Sequence, residues 1–340
     1  MYSFPISPSQ IYEEIAETAA VGNIPVFKGS PGLGKSASVI KFAEDHNLKL
    51  IDIRLSQCSP EDLNGLPMRV GDKAVFAPYD LFPLEGDPIP AGYAGWLVFL
   101  DEITSASKQV EAASYKLLQD KKVGSHNIHE NVVMVAAGNL ATDKAVARNM
   151  GTAAQSRVIH YIVEVNHKEA IELFFGLGID TRIISYLSFM PSKLMDFRPD
   201  HQEHTFPCPR TWHNLSKMTN GKEITARTGP RIAGTIGEGT AIDFMTFARE
   251  FDRLPNIQQI IDDPLNTAVP PETSTKFATV SMLTEHISED QIEPILEYVE
   301  RFDIEMQILF ARAAATMHAE LEHSSRPFLK FIQRMARYLG

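Results

Sequence analysis

Apolar positions in the first half of the chain fall into short runs separated by stretches of helical periodicity. Ile11, Ile15 and Ala19 recur at helical spacing behind Ser9, a residue type that caps helix N-termini. Ile24–Lys28 then reads as a strand running into a glycine-rich turn, and the spacing predicts a helix over 35–46. Leu48–Leu55 suits a buried strand, with Leu50, Ile51 and Ile53 as its apolar positions. Ser59 and Pro60 open a short helix that reaches Leu63. Trp96–Leu100 is continuously apolar and closed by two acids, as a central parallel strand covered on both faces would be. A helix over 107–119, a polar hairpin around Lys121–Gly124 and strands over 131–137 and 158–165 complete the series. Such alternation is the signature of a parallel sheet with crossover helices.

Residues 65–90 interrupt that alternation with several glycines and prolines. Met68–Val70 and Ala74–Ala77 flank Gly71-Asp72, which predicts an inserted β-hairpin near 66–80. Beyond Asn166 strand signals stop, and the pattern is helical to the C-terminus with breaks over 191–209 and 221–239. Helices are expected over 241–251, 273–286, 289–302 and 304–321, with Ser288 and Asp303 as caps. Phe244, Met245, Phe247 and Phe251, like Met306, Leu309 and Phe310, read as core positions at helical spacing. The expected organisation is an α/β sheet domain over 1–165, an α-helical segment over 166–220 and an α-helical extension over 221–340.

Composition narrows the class. A chain of 340 residues fits about two domains at roughly 150 residues each. With 44% hydrophobic and 22% charged residues it is not a disordered chain. No apolar run approaches the ~20 residues of a membrane span, and MYSFPISPSQ lacks the basic and apolar regions of a signal peptide. Two cysteines make no disulfide framework, so Cys58 and Cys208 read as free thiols in a reducing, cytoplasmic setting. The balance of 32 basic against 43 acidic residues gives −11. That charge argues against nucleic-acid adhesion through bulk electrostatics and leaves only a local basic groove open.

One segment carries specific chemistry. Gly29-Ser30-Pro31-Gly32-Leu33-Gly34-Lys35-Ser36 matches G-x-x-x-x-G-K-[ST] at every fixed position, after an expected strand and before an expected helix. Its glycines let backbone N–H groups close on phosphate oxygens, and the helix N-terminus adds partial positive charge. Lys35 is expected to reach the β and γ phosphates, and the Ser36 hydroxyl to ligate Mg²⁺. Asp101 is placed to hold the same ion, and Glu102 to orient and polarise an attacking water.

Together with a later strand ending Ala137-Gly138-Asn139, these motifs resemble an AAA+ ATPase over about residues 9–220. The inserted hairpin and Pro209-Arg-Thr-Trp212 resemble the MoxR-like branch. The resemblance implies a P-loop α/β nucleotide-binding domain, a helical lid and ATP with Mg²⁺ as ligands. It makes Asn139 the residue called sensor 1, which positions the water near the γ-phosphate. Arg157 matches the finger that reaches a neighbour's site, with Arg148 as its rival, and Arg210 matches the lid arginine. A finger of this kind implies a homo-oligomer, hexameric in the family, that remodels a protein client. Partners carrying a von Willebrand factor A domain are common there. Arg69 and Lys73 in one hairpin, and Lys121 and Lys122 in the other, are where a client would be met. A DNA-directed motor of the same superfamily is the alternative, because those four residues could also track phosphates. A nucleotide-loaded switch with little turnover is a third reading, disfavoured by Glu102 and Arg157.

Other features read as structural. His201, His204 and Cys208 lack a fourth ligand at zinc spacing. Gly234, Gly237 and Gly239 follow no expected strand and read as linker.

Overall fold

In the computed structural model, residues 3–143, 150–151, 155–201, 203–251, 254 and 257–338 are described. The chain divides into two compact units, Met1–Val165 with Arg198–His201, and Asn166–Phe197 with Gln202–Gly340.

The first unit is built on a five-stranded sheet. In chain order its strands are β1 (Pro25–Lys28), β2 (Leu48–Arg54), β5 (Gly95–Asp101), β8 (Val132–Gly138) and β9 (Ile159–Ile162). Spatially the order is β2-β5-β8-β1-β9, and every pairing is parallel. All five C-terminal ends therefore lie along one edge, where open α/β sheets place their ligands. The order reverses around β1, since the chain crosses from β1 to the far edge at β2, fills back inward through β5 and β8, and then adds β9 on the other side.

The apolar run of β5 is explained by its position. Val98 and Leu100 join Val26, Met134 and Ala136 in one cluster with Val110, Leu117 and Leu118 of the helix Lys108–Asp120. Leu97 and Phe99 between them are equally buried but lie outside that cluster, on the face where the helix Lys35–Asp45 packs. The edge strand β2 departs from expectation. Only Ile53 is buried, because β2 has a neighbour on one side alone. The last strand is also shorter than its apolar run. Beyond it the N-terminal segment takes over the pairing, with Ile6 N donating to Ile162 O at 2.8 Å.

Two small hairpins leave the sheet. Strands β3 (Leu66–Val70) and β4 (Lys73–Ala77) pair antiparallel around Gly71-Asp72, with Gly71 left-handed at φ 62°. Strands β6 (Lys122–Val123) and β7 (His126–Asn127) form the second. The turn of the second meets the base of the first, since a Cβ on Gly124 would lie 3.3 Å from the Phe76 Cβ.

The second unit is helical. The helix Thr273–His286 packs on Thr181–Phe189 and on Ile304–Met317. Tyr186, Trp212, Phe244 and Phe247 meet ring to ring, so residues from 166–220 and from 221–340 share one core. The run expected as one helix over 304–321 stops at Met317 and resumes at Leu321–Ser324. A further helix, Arg326–Ala336, is capped by Ser325 accepting from Phe328 N. The segment read as linker around Gly234 is instead the helix Gly229–Ile236. Burial of Ile232 and Ile236 one turn apart outweighs the roughly 1 kcal/mol that a mid-helix glycine costs. Among the described residues no helix is long and apolar enough to cross a membrane.

Candidate functional site

The loop Gly29–Gly34 joins β1 to the helix Lys35–Asp45. Gly32 and Gly34 are left-handed at φ 85° and 91°. Gly29 has a different constraint, because a Cβ there would lie 2.5 Å from Val163 O. That contact is closer than real Cβ atoms come, so only glycine lets the loop leave β1 beside β9. The Lys35 side chain is folded into the loop, 8% exposed, with Nζ donating to Gly29 O at 2.7 Å and Ser30 O at 2.9 Å. An ammonium held on two carbonyls in the mouth of a glycine cradle is suited to exchanging them for phosphate oxygens.

The acidic strand end closes on this loop. Ser36 Oγ donates to Asp101 Oδ2 at 3.2 Å, so the helix start and the end of β5 meet. A hydroxyl and a carboxylate at that separation are the hard oxygen donors Mg²⁺ takes while keeping most of its waters. These residues therefore fit a magnesium-bound nucleotide. Glu102 follows in a left-handed conformation at φ 57°, its N–H donating to Asp101 Oδ1 at 2.8 Å and its Oε2 accepting from Ser56 Oγ. Asp52 on β2 lies close enough to register both acids. Its carboxyl is pushed up first by burial, then by Asp101 and Glu102, against the pull of Arg54.

Asn139 directly follows β8, the strand between β5 and β1, so it shares this edge with the loop and with Glu102. Its N–H donates to Thr104 Oγ1 at 2.9 Å. Arg157 lies at the other edge. Ile159 pairs with Pro25, the first residue of β1, whereas the loop leaves the last. Arg157 precedes Ile159 by two residues and so lies at the end of the sheet opposite its own phosphate loop. Its charge acts on Tyr115, whose hydroxyl is pushed up by burial and then by Glu111. The rival Arg148 lies outside the described residues. Arg210 belongs to the second unit, exposed in the first turn of the helix Pro209–Thr219. Arg69, Lys73 and Lys121 are exposed on the two hairpins, and Lys122 is half-buried.

Sequence reasoning missed four residues here. Asp143 is 7% exposed and accepts from Ser30 Oγ at 3.4 Å, and among the described residues its Oδ2 meets no hydrogen-bond criterion. Burial pushes its carboxyl up, against the bonds from Ser30 and the Leu140 backbone and the nearby Lys35 charge. Thr104, Ser56 and Asp52 are the others. None stands in a recognisable spacing; each acquires its place only when the strand ends assemble. Among the described residues no group of three His, Cys, Asp or Glu could hold a metal ion on protein ligands alone.

No family model matches the sequence, and no curated protein does. Among solved structures, the chain is similar to a candidate ATPase from Cytophaga hutchinsonii, at 13% identity and a TM-score of 0.35. That match covers 96% of this chain and 89% of the other. It is also similar to a mutant RuvB from Thermotoga maritima, at 14% identity, a TM-score of 0.37 and coverage of 94% and 86%. At this level of likeness neither protein's activity transfers to this chain.

Proposed function

We propose that this chain is an AAA+ ATPase of the MoxR-like kind, hydrolysing ATP with Mg²⁺ in a homo-oligomeric, hexameric ring. The ring remodels a protein client, with a von Willebrand factor A domain partner. One observation carries the ATPase reading: Ser36 of the phosphate loop and Asp101 of the acidic strand end are within hydrogen-bond distance on one sheet edge. Two motifs that each need the other are thereby brought into one site.

The bound magnesium–nucleotide supplies a phosphoryl group whose charge is already partly neutralised. Lys35 gives up the Gly29 and Ser30 carbonyls and donates to phosphate oxygens. Glu102, oriented by Ser56, accepts the proton of the attacking water, and Asn139 helps to hold that water. Arg157 lies at the opposite end of the sheet from its own loop, and the charge it brings to a developing phosphate goes to a neighbouring subunit's site, a contribution of ~10³–10⁵ in turnover where such fingers act. Arg210 is the lid arginine of the same reading.

The test is turnover against protein concentration, with Glu102→Gln subunits doped in. A steep rise and disproportionate poisoning are expected. A linear rate with simple dilution would remove the ring and the finger, and absent turnover would remove the ATPase itself. Stimulation by DNA rather than by protein would favour the DNA-directed motor.

A further inference from the structure

Glu102 and Asn139 follow neighbouring strands, yet the ladder between those strands stops short of both. The last pair of β5 with β8 is Leu100 with Ala136. Beyond it one side chain joins the two ends. Thr104 Oγ1 accepts from Asn139 N at 2.9 Å, and Thr104 is only 4% exposed. Gly138, just before Asn139, leaves no slack. A Cβ there would lie 2.5 Å from Thr104 Oγ1 and 2.8 Å from its Cγ2.

Thr104 is itself tied to Glu102. It sits in the turn Ile103–Ser105, which Ser105 N closes by donating to Glu102 O at 2.8 Å. Glu102 is in turn fixed by its left-handed backbone and its bond to Ser56. A backbone N–H at a strand end has no ladder partner, and an acceptor delivered from the adjacent strand's turn satisfies it in one orientation.

We infer that Thr104 is a positioning residue that locks Asn139 in register with Glu102 across the end of the sheet. It acts through Asn139 and does not touch the nucleotide. The inference rests on the ATPase reading above. Near-attack geometry is sensitive, with a displacement of about 1 Å worth ~10²-fold in rate. Losing one tether to the water-holding residue should therefore lower turnover without weakening nucleotide binding.

The experiment compares Thr104→Val, which keeps the shape and deletes the acceptor, with Thr104→Ser, which keeps the hydroxyl. Thr104→Val should lower kcat by about tenfold or more and leave KM for ATP within about twofold. Thr104→Ser should recover most of kcat. Wild-type turnover in Thr104→Val, a parallel rise in KM, or failure of Thr104→Ser to recover would overturn the inference while leaving the ATPase reading intact. Amide exchange of Asn139 tests the tether without turnover. Protection in the wild type and in Thr104→Ser is expected, and an unprotected Asn139 amide in the wild type would overturn the inference even if no variant folded.

Discussion

The Ser36 hydroxyl donates to Asp101 Oδ2 at 3.2 Å, across 65 residues of chain. Neither residue has a structural need for the other, since Ser36 sits in the first turn of one helix and Asp101 at the end of a strand that is already paired. In the proposed function their meeting is a shared grip on a divalent cation. Ser36→Ala and Asp101→Asn should each weaken the magnesium-dependent part of nucleotide affinity by about tenfold or more, equivalent to ~1.4 kcal/mol. Calorimetric titration of ATP with and without Mg²⁺ measures this. Equal affinities for the wild type and both variants in Mg²⁺ would show that the pair holds no ion.

Glu102 makes a separate prediction, because its carboxylate is oriented by Ser56 rather than by the phosphate loop. Glu102→Gln keeps the size and removes the carboxylate that the proposed mechanism uses as base. Nucleotide binding should persist while single-turnover hydrolysis falls by ~10²–10⁴. A variant that hydrolyses at the wild-type rate would take Glu102 out of the reaction.

Much of this was legible because the decisive signals are local. The Gly29–Ser36 spacing, the run Trp96–Leu100 and the Gly71-Asp72 turn each fix a backbone geometry within a few residues. Strand β2 was legible as a strand and not as an edge, because sheet order is set by crossovers that no short window contains. The helix Gly229–Ile236 hid behind its glycines, since tertiary burial of Ile232 and Ile236 overrides a local propensity. Asp143 and Thr104 carried no signal at all. Each is one polar residue whose partner, Ser30 or Asn139, lies at least thirty positions away.

Gly65 tests the hairpin. It is left-handed at φ 89°, and a Cβ there would lie 2.5 Å from Ala77 O, at the closing pair of β3 and β4. Gly65→Ala should cost ~1–3 kcal/mol through backbone strain at that position. The loss should appear as early proteolysis between residues 66 and 77, with nucleotide binding unchanged. Wild-type protease resistance would mean that the hairpin base tolerates a side chain.

Asp143 links stability to pH. Burial holds its carboxyl above the ordinary value of 3.8, outweighing the attraction of Lys35. Such a group binds protons more readily folded than unfolded, so it lowers stability as pH rises through that raised window. Asp143→Asn keeps an acceptor for Ser30 and removes the charge. The variant should melt higher than the wild type at neutral pH, and the difference should shrink as pH falls toward the ordinary carboxylate range. A difference that grows on acidification would reverse the assigned sign.

Arg157 bears on whether the site is complete within one chain. The register of Ile159 with Pro25 puts it at the end of the sheet opposite the loop that leaves Lys28. Three residues of strand at about 3.3 Å each, plus the approach from Arg157 to the strand, separate the two. In the proposed ring its charge is therefore supplied to a neighbouring subunit's site. Arg157→Ala should retain nucleotide binding and lose turnover by ~10³ or more. The same loss is expected in Lys35→Ala for the opposite reason, since that subunit keeps the arginine and loses the phosphate grip. Mixing the two inactive proteins pairs an intact loop with an intact arginine at some interfaces, so activity should reappear. An inactive mixture, with both variants shown to co-assemble, would exclude action between subunits. Wild-type turnover in Arg157→Ala alone would shift the role to Arg148.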